Sequence, residues 1–222
     1  MLDTVVFDDP KAIAFFTNEM LLVKLNAEVD TLTKQRYNIM GYPTSVLVDK
    51  EGNEIDRFVG FGETDEYIGT FRNYARGIGT LDDMAARFEV NQNRDSAFAI
   101  AEKYKYRGAV AEADQWYDRV VAMGAPTDSL AGEARVAQAD AHLRAKDFAP
   151  ALAMFEQIRA DFAGTRFAED AEIYRAIAFG RQNDTAQAIA AFSEFLDHWP
   201  ESEAADYAKE QLRKLKGEEP SE

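Results

Sequence analysis

The sequence predicts an α+β fold, in which a mixed α/β domain over residues 1–78 is followed by an all-α domain over residues 79–222. In the first domain, apolar residues follow the helical period in some stretches and the alternating period of a strand in others. From Leu81 onward no strand pattern occurs, and alanine-rich helices are separated by short breaks of glycine, asparagine or proline. The stretch Gly77-Ile78-Gly79 marks the predicted boundary.

Helices and strands alternate in the first domain. Asp9 and Pro10 predict a helix start, because aspartate caps a first turn and proline fits the first helical position. The run Leu21–Leu25 is short and apolar, which predicts a buried strand. Gly52 predicts a hairpin turn. The complete prediction is three helices, beginning at Asp9, Asp30 and Thr64, and three strands at 21–25, 45–49 and 54–59.

An internal period of 37 to 38 residues organises the second domain. Ala113, Ala151 and Ala188 follow this period, and each precedes an aromatic residue by four positions. Thr165 and Ser202, also 37 residues apart, each predict a hydroxyl N-cap. Together the two series predict three helical hairpins and a closing helix, stacked as a solenoid because one hairpin cannot bury its apolar stripe alone. An irregular helical bundle is the alternative.

These repeats resemble tetratricopeptide repeats (TPR) over about residues 92–216, and their length is closer to the variants of bacterial envelope and assembly proteins. The residues that carry the resemblance are Ala101, Tyr104, Gly108, Ala113, Tyr117, Pro126, Ala139, Ala151, Phe155, Ala176, Phe179, Ala188, Phe192 and Pro200. The resemblance implies a concave surface, lined by the first helix of each hairpin, that binds a protein or peptide. The positions carried over to this surface are Phe98, Glu102, Val136, Asp140, Ile173 and Ile177. In the alternative, the repeats only stack and dock on the first domain.

Residues 1–76 resemble the second half of a thioredoxin fold. Tyr37, Gly41, Pro43 and Thr44 match that family's motif, which precedes a strand, a turn and a further strand. The resemblance implies a cis peptide bond before Pro43 and a substrate-groove wall formed by Tyr42, Pro43 and Thr44. An ordinary loop with a trans proline is the alternative, because most X-Pro bonds are trans.

The chain contains no cysteine, which excludes disulfides, thiolate metal sites and a cysteine nucleophile within it. The thioredoxin family carries a Cys-x-x-Cys motif before the part that is matched. Val5-Val6-Phe7 and Asp9-Pro10 resemble the family's sequence just after that motif. We therefore expect that Met1 is an internal start and that the motif lies upstream. A genuine short form that has lost its redox chemistry is the competing hypothesis. In either case the sheet has an unpaired edge, which the helical domain covers or which self-associates.

Composition narrows the remaining function classes. A net charge of −15 and a pI near 4.6 argue against nucleic acid as a partner, because binding it needs a basic surface. No apolar stretch is long enough to span a bilayer. His142 and His198 are far apart in sequence and predict packing or surface roles rather than a metal site. We therefore expect no metal, no cofactor and no catalytic residue in this chain.

Two functional hypotheses follow from the resemblances. In the first, the chain is a fragment of a thioredoxin-like thiol–disulfide oxidoreductase or redox chaperone, redox-inactive by itself, whose repeats select protein clients. In the second, it is a non-enzymatic TPR scaffold or adaptor with a structural thioredoxin remnant. Both resemblances favour the bacterial periplasm, with the cytoplasm as the alternative.

Overall fold

The computed structural model describes residues 6–218. The chain divides into two compact units, Met1–Ala109 and Val110–Glu222, which we call unit 1 and unit 2. The predicted boundary between residues 78 and 79 falls inside unit 1. That division into domains stays a prediction.

Eleven helices and two strands occur among residues 6–218. Unit 1 contains α1 (Pro10–Asn18), α2 (Thr31–Arg36), β1 (Thr44–Val48), β2 (Glu54–Val59), α3 (Thr64–Ala75), α4 (Leu81–Val90) and α5 (Arg94–Tyr106). Unit 2 contains α6 (Val110–Ala122), α7 (Ser129–Arg144), α8 (Phe148–Asp161), α9 (Arg166–Arg181), α10 (Thr185–His198) and α11 (Ala205–Lys216). The mainly helical architecture with a small sheet agrees with the predicted α+β class.

Most of the helix starts predicted from capping residues are confirmed. Asp9 caps α1 by accepting a hydrogen bond from the amide of Lys11, and Asp30 caps α2 in the same way. Thr165 caps α9. Two predicted N-caps are wrong, one by one residue and the other by two. The N-cap of α3 is Glu63 rather than Thr64, and α11 begins at Ala205, after a turn that Ser202 stabilises.

The predicted hairpin is confirmed. β1 and β2 pair antiparallel, with Thr44 opposite Val59 and Leu47 opposite Asp56. The turn between them is built around Asp49, whose carboxylate accepts hydrogen bonds from the amides of Glu51 and Asn53. Gly52 adopts a φ of +80°, a conformation that glycine reaches without steric cost.

The predicted strand at Leu21–Leu25 is wrong. These residues have no regular secondary structure, and Leu21 and Val23 are 91% and 64% exposed. A strand needs a neighbouring strand to satisfy its backbone groups. Among residues 6–218 the sheet contains β1 and β2 alone, and neither pairs with this run. Its apolar side chains are therefore left in contact with solvent, and we call Leu21–Leu25 the apolar run.

The core of unit 1 lies between α1, α3 and the hairpin. Tyr67 of α3 is 1% exposed and is surrounded by the rings of Phe7, Phe16, Phe58 and Phe71. Its hydroxyl lies 2.7 Å from the hydroxyl of Ser45 on β1. Burial raises the pKa of this phenol, and the hydrogen bond to Ser45 opposes the rise only in part. Aromatic packing and one polar contact thus fix α3 against the hairpin.

Unit 2 is a stack of helices in which each packs against the next. In addition, α7 packs against α9, which are the first helices of successive predicted hairpins. The period predicted from the sequence is visible in the packing, because Ala113, Ala151 and Ala188 are all fully buried. The aromatic residues four positions later, Tyr117, Phe155 and Phe192, are at most 2% exposed. Unit 2 is therefore a TPR-like helical repeat.

One contact between α7 and α9 depends on a glycine. Gly132 of α7 faces the ring of Phe167 at the start of α9. A Cβ atom at this position would lie 2.7 Å from Cγ of Phe167 and closer still to two other ring carbons. Van der Waals contact between carbons needs about 3.5–4.0 Å. The Phe167 ring can therefore lie against the backbone of α7 at this point because residue 132 has no side chain.

Candidate functional site

The loop predicted to form a substrate-groove wall lies between α2 and β1. The peptide bond between Tyr42 and Pro43 is cis, as the thioredoxin resemblance implies. Tyr42 is 61% exposed, and the ammonium group of Lys34 lies 5.5 Å from the centroid of its ring. Thr44 donates a hydrogen bond from its hydroxyl to the carbonyl of Gly41 at 2.8 Å. The loop therefore presents one aromatic side chain to solvent, and its role in binding stays a prediction.

Hydrogen bonds to backbone carbonyls hold this loop against the hairpin. The carbonyl of Pro43 accepts a hydrogen bond from the amide of Gly60 at 2.9 Å. The hydroxyl of Tyr37 donates to the carbonyl of Gly52 at 3.0 Å, and a guanidinium nitrogen of Arg36 donates to the same carbonyl at 2.8 Å. These bonds fix the position of the loop, so that Tyr42 is presented by a backbone that is anchored on both sides.

A buried group of charges, not anticipated from the sequence, lies beside the hairpin. Asp56 of β2 is fully buried and accepts hydrogen bonds from the ammonium of Lys103 at 2.9 Å and the amide of Leu81 at 2.7 Å. A guanidinium nitrogen of Arg107 lies 2.9 Å from the same carboxylate. We call Asp56, Lys103 and Arg107 the Asp56 cluster. It connects β2 to the start of α4 and to the end of α5.

Arg57 extends these contacts to the chain around α2 and α5. It is 5% exposed, and its two terminal nitrogens each donate at 2.7 Å, one to the carbonyl of Tyr37 and one to that of Tyr106. Its side chain also binds Glu54. Alternation of polar and apolar residues, as in β2, is typical of a half-buried strand whose polar residues face solvent. In the structure, however, Asp56 and Arg57 are buried and Ile55 is 37% exposed. Paired charges and backbone carbonyls satisfy the buried groups, and the sequence pattern carries no signal of such partners.

The positions predicted for the concave surface fall on three helices. Phe98 and Glu102 lie on α5 of unit 1, and both are half-buried. In unit 2, Val136 and Asp140 lie on α7, and Ile173 and Ile177 lie on α9. Because α7 packs against α9, the structure brings these last four positions onto neighbouring helices.

The degree of burial limits what these positions can offer to a ligand. Ile173 is 7% exposed and belongs to the core, and Asp140 is 9% exposed and accepts a hydrogen bond from Arg144 at 2.6 Å. Val136 and Ile177 are half-buried against a neighbouring core cluster. Their proposed role in ligand binding stays a prediction, with Val136 and Ile177 the more accessible of the four.

A carboxylate on the same face of α9 was not singled out from the sequence. Asp170 lies three and seven residues before Ile173 and Ile177, a spacing that places all three on one side of the helix. Burial raises the pKa of Asp170, the negative charge of Glu169 raises it further, and Arg166 lowers it in part. Asp170 is therefore a half-buried acid whose surroundings disfavour its charged form.

Ion pairs link three helices elsewhere in unit 2. Glu194 of α10 accepts hydrogen bonds from Arg159 of α8 at 2.5 Å and from Arg175 of α9 at 2.8 Å. Burial would raise the pKa of Glu194, but the two arginines outweigh it and lower the pKa. Glu172 of α9 also binds Arg159 and His198. This network connects neighbouring repeats.

Residues 6–218 contain no group of three or more histidine, aspartate or glutamate side chains arranged to hold a metal ion. Within the same range, no helix is long and apolar enough to cross a membrane. Of the two histidines, His198 is half exposed, whereas His142 is 8% exposed and has a carboxylate at each ring nitrogen. The prediction of a packing role therefore describes His142 incompletely.

The stacked helices and the buried alanine and aromatic positions of each repeat define unit 2 as a TPR-like helical repeat. A family model described as YfiO, an outer membrane lipoprotein, matches residues 133–209. The match runs from within α7 into α11 and covers about a third of the chain. This part of the chain is similar to that family. No curated protein matches the chain in a second comparison.

Proposed function

We propose that the chain is a non-enzymatic adaptor of the bacterial envelope, in which the TPR-like repeats bind a protein or peptide partner. The observation that supports this most directly is the similarity of residues 133–209 to YfiO, because the matched residues include most of α7 and the whole of α9, which pack together. The family description, an outer membrane lipoprotein, favours the periplasmic side of the envelope over the cytoplasm.

The surface that we propose for binding is the face of α7 and α9 that carries Val136, Asp170 and Ile177. The two aliphatic side chains are half-buried and can cover apolar groups of a partner. Asp170 supplies a carboxylate whose charge is disfavoured in the unbound protein. A cationic group of the partner would stabilise that charge, so we propose a partner segment that carries lysine or arginine beside an apolar residue.

A photo-crosslinking experiment in the full chain tests this surface. A photoreactive amino acid at residue 177 should crosslink to a short peptide that contains arginine and leucine, and the same peptide with glutamate in place of arginine should react much less. Residue 157, exposed on α8, is the matched control position and should give little product with either peptide. Equal crosslinking from positions 177 and 157, or equal reaction with both peptides, would refute the proposed surface.

The thioredoxin-like reading of unit 1 is part of the same proposal, in a structural role. It is supported by the order of α2, the antiparallel pair β1 and β2, and α3. A redox role would need a thiol, and none exists in these 222 residues. An insulin-reduction assay on the chain should therefore be negative. A Cys-x-x-Cys pattern in the reading frame upstream of Met1 would instead favour the oxidoreductase hypothesis.

We further propose that the apolar run mediates self-association. Its four apolar side chains are between 41% and 91% exposed, and its backbone has no strand partner among residues 6–218. Light scattering at increasing concentration should show a dimer or larger species. The substitution Val23→Lys should shift that species toward the monomer, whereas Ile55→Lys, at an exposed apolar residue of β2, should not. A strictly monomeric protein at all concentrations would contradict the proposal.

A further inference from the structure

His142 lies between two carboxylates in unit 2. Its Nε2 atom is 3.0 Å from Asp114 on α6, and its Nδ1 atom is 3.1 Å from Asp147 at the start of α8. The imidazole side chain is 10% exposed, against 27% for Asp114 and 57% for Asp147. We call these three side chains the His142 cluster. The carboxylates approach opposite ring nitrogens, so they bracket the ring and do not converge on a common point.

The two contacts together require a particular charge state. A neutral imidazole has one N–H donor and one nitrogen lone pair, whereas an imidazolium has two donors. A lone pair that faces a carboxylate oxygen at about 3 Å is repelled by it. Both contacts are therefore favourable at once when the ring carries a positive charge.

The start of α8 explains why Asp147 is available to His142. An N-cap aspartate normally accepts a hydrogen bond from an amide two or three positions into the helix. Asp184, which occupies the equivalent position in the next repeat, accepts such a bond from the amide of Gln187 at 3.1 Å. The residue three positions after Asp147 is Pro150, which has no amide hydrogen. Asp147 makes no capping hydrogen bond, and its carboxylate turns to His142.

The next repeat also shows that the cluster is not a requirement of the fold. The equivalents of His142 and Asp114 there are Phe179 and Leu152, both apolar and both packed against core clusters. In one repeat, an imidazole lies between two carboxylates. In the next repeat, the equivalent positions are apolar, and the aspartate caps its helix by accepting a hydrogen bond from a backbone amide. His142, a titratable residue, therefore occupies a position at which the next repeat packs a phenylalanine.

The two carboxylates differ in how readily water can replace the histidine. Asp147 is mostly exposed, so water can hydrate its carboxylate when the imidazole contact is lost. Asp114 is less exposed, and its Oδ1 atom is buried with no hydrogen-bond partner. Loss of the His142 contact would leave Asp114 with a larger desolvation cost. A neutral imidazole should therefore keep its hydrogen on Nε2, toward Asp114.

We propose that His142 is a proton-dependent link between α6, α7 and the start of α8: the imidazolium holds both Asp114 and Asp147, and the neutral ring keeps Asp114 and releases Asp147. Histidine side chains as a class change charge between about pH 5 and 8, which sets the pH range of the test. Asp114 faces the ring from α6 and Asp147 from the start of α8. The neighbouring charged residues of α7 are engaged elsewhere, Arg135 with Asp118 and Arg144 with Asp140.

Nitrogen-15 NMR of the imidazole rings in the full chain, recorded from pH 5 to 8, tests the proposal without any substitution. At the acid end, His142 should show both nitrogens protonated, and at the basic end it should show the Nε2–H tautomer. His198 is an internal reference, because it contacts Glu172 through Nδ1 and should give the opposite tautomer. The variant His142→Phe, which copies Phe179, assigns the two sets of signals.

Two substitutions and one exchange measurement complete the test. Asp114→Asn should move the hydrogen of the neutral ring to Nδ1, whereas Asp147→Asn should leave it on Nε2. The amide of Ala151, which donates to the carbonyl of Asp147, should exchange about tenfold faster at the basic end after correction for intrinsic rates. In the variant His142→Phe, this rise in the exchange rate of the Ala151 amide should be absent. A neutral His142 with Nδ1–H in the unsubstituted chain, or one protonation state throughout pH 5–8, would overturn the proposal.

Discussion

Substitution of Gly132 by alanine tests whether the approach of α7 to α9 organises unit 2. In the interior of a helix, alanine is favoured over glycine by about 1 kcal/mol. At position 132 the added methyl group meets the ring of Phe167, which is 6% exposed and packed edge-on against Phe162 with centroids 5.4 Å apart. The guanidinium of Arg166 lies 4.6 Å from the centroid of the Phe167 ring. Because Phe162 and Arg166 pack against the Phe167 ring, the ring has little room to move away from the added methyl group.

The cost of the clash should exceed the gain in helix propensity. Overpacking of a core by a methyl group costs about 1–3 kcal/mol. After the propensity gain is subtracted, we expect Gly132→Ala to lower the free energy of unfolding by up to about 2 kcal/mol, which corresponds to a fall in Tm of up to a few degrees. Urea denaturation followed by circular dichroism measures the first quantity, and the m-value shows whether the transition remains cooperative.

Gly180, near the end of α9, provides the matched control. A Cβ atom there would have no neighbour within 4 Å, so Gly180→Ala should raise stability by a few tenths of a kcal/mol to about 1 kcal/mol. In a Phe167→Ala background the clash is removed, and Gly132→Ala should then stabilise as well. If Gly132→Ala stabilised the unsubstituted protein as much as Gly180→Ala, the argument that α7 and α9 require a glycine at their contact would be refuted.

Three further predictions concern buried polar groups. Asp56→Asn should destabilise unit 1 by about 3 kcal/mol, because it leaves Lys103 without its buried counter-charge, and urea denaturation measures the loss. Tyr67→Phe should lower stability at pH 7 by about 1 kcal/mol, since it removes the hydrogen bond to Ser45. Because burial raises the pKa of Tyr67, the stability of the unsubstituted protein should fall as the pH rises above the ordinary phenol range, and less steeply in the variant. Asp170→Asn should raise stability at pH 7, because the raised pKa means that the charged carboxylate disfavours the folded state there.

Each of these predictions has an outcome that contradicts it. Asp49→Asn, at an exposed turn, should cost less than Asp56→Asn, and equal costs would mean that the Asp56 cluster contributes little. A slope of stability with pH that is the same in Tyr67→Phe and in the unsubstituted protein would assign the alkaline loss to another group. For Asp170→Asn, the gain should disappear as the pH falls below the ordinary carboxyl range, and a gain that persists there would rule out the electrostatic cause.

The features that the sequence predicted correctly are those set by neighbours in the chain. An aspartate before a proline specifies the start of α1, and a glycine in the turn at residue 52 specifies the hairpin. The alanine and the aromatic residue one turn later predicted which side chains are buried in each repeat. In each case, the residues that determine the feature lie within a few positions of it in the chain, so the local sequence pattern is enough to predict it.

The incorrect predictions involve partners that are distant in sequence. The apolar run has the composition of a strand, but strand formation depends on a neighbouring strand that its own residues do not specify. In the same way, the alternation in β2 is typical of a strand whose charged residues face solvent, and the structure departs from that pattern. Lys103, 47 residues later, makes burial of Asp56 favourable, and the pattern of β2 alone gives no sign of it.

The sequence by itself therefore determined the α+β class, the positions of most helices and the repeat period, because these depend on local propensity and spacing. Tertiary structure alone decided which polar groups are buried and paired: Asp56 with Lys103, and His142 between Asp114 and Asp147. The physical reason is that a buried charge is stable only beside its counter-charge, and that proximity is created by the packing of helices far apart in the chain.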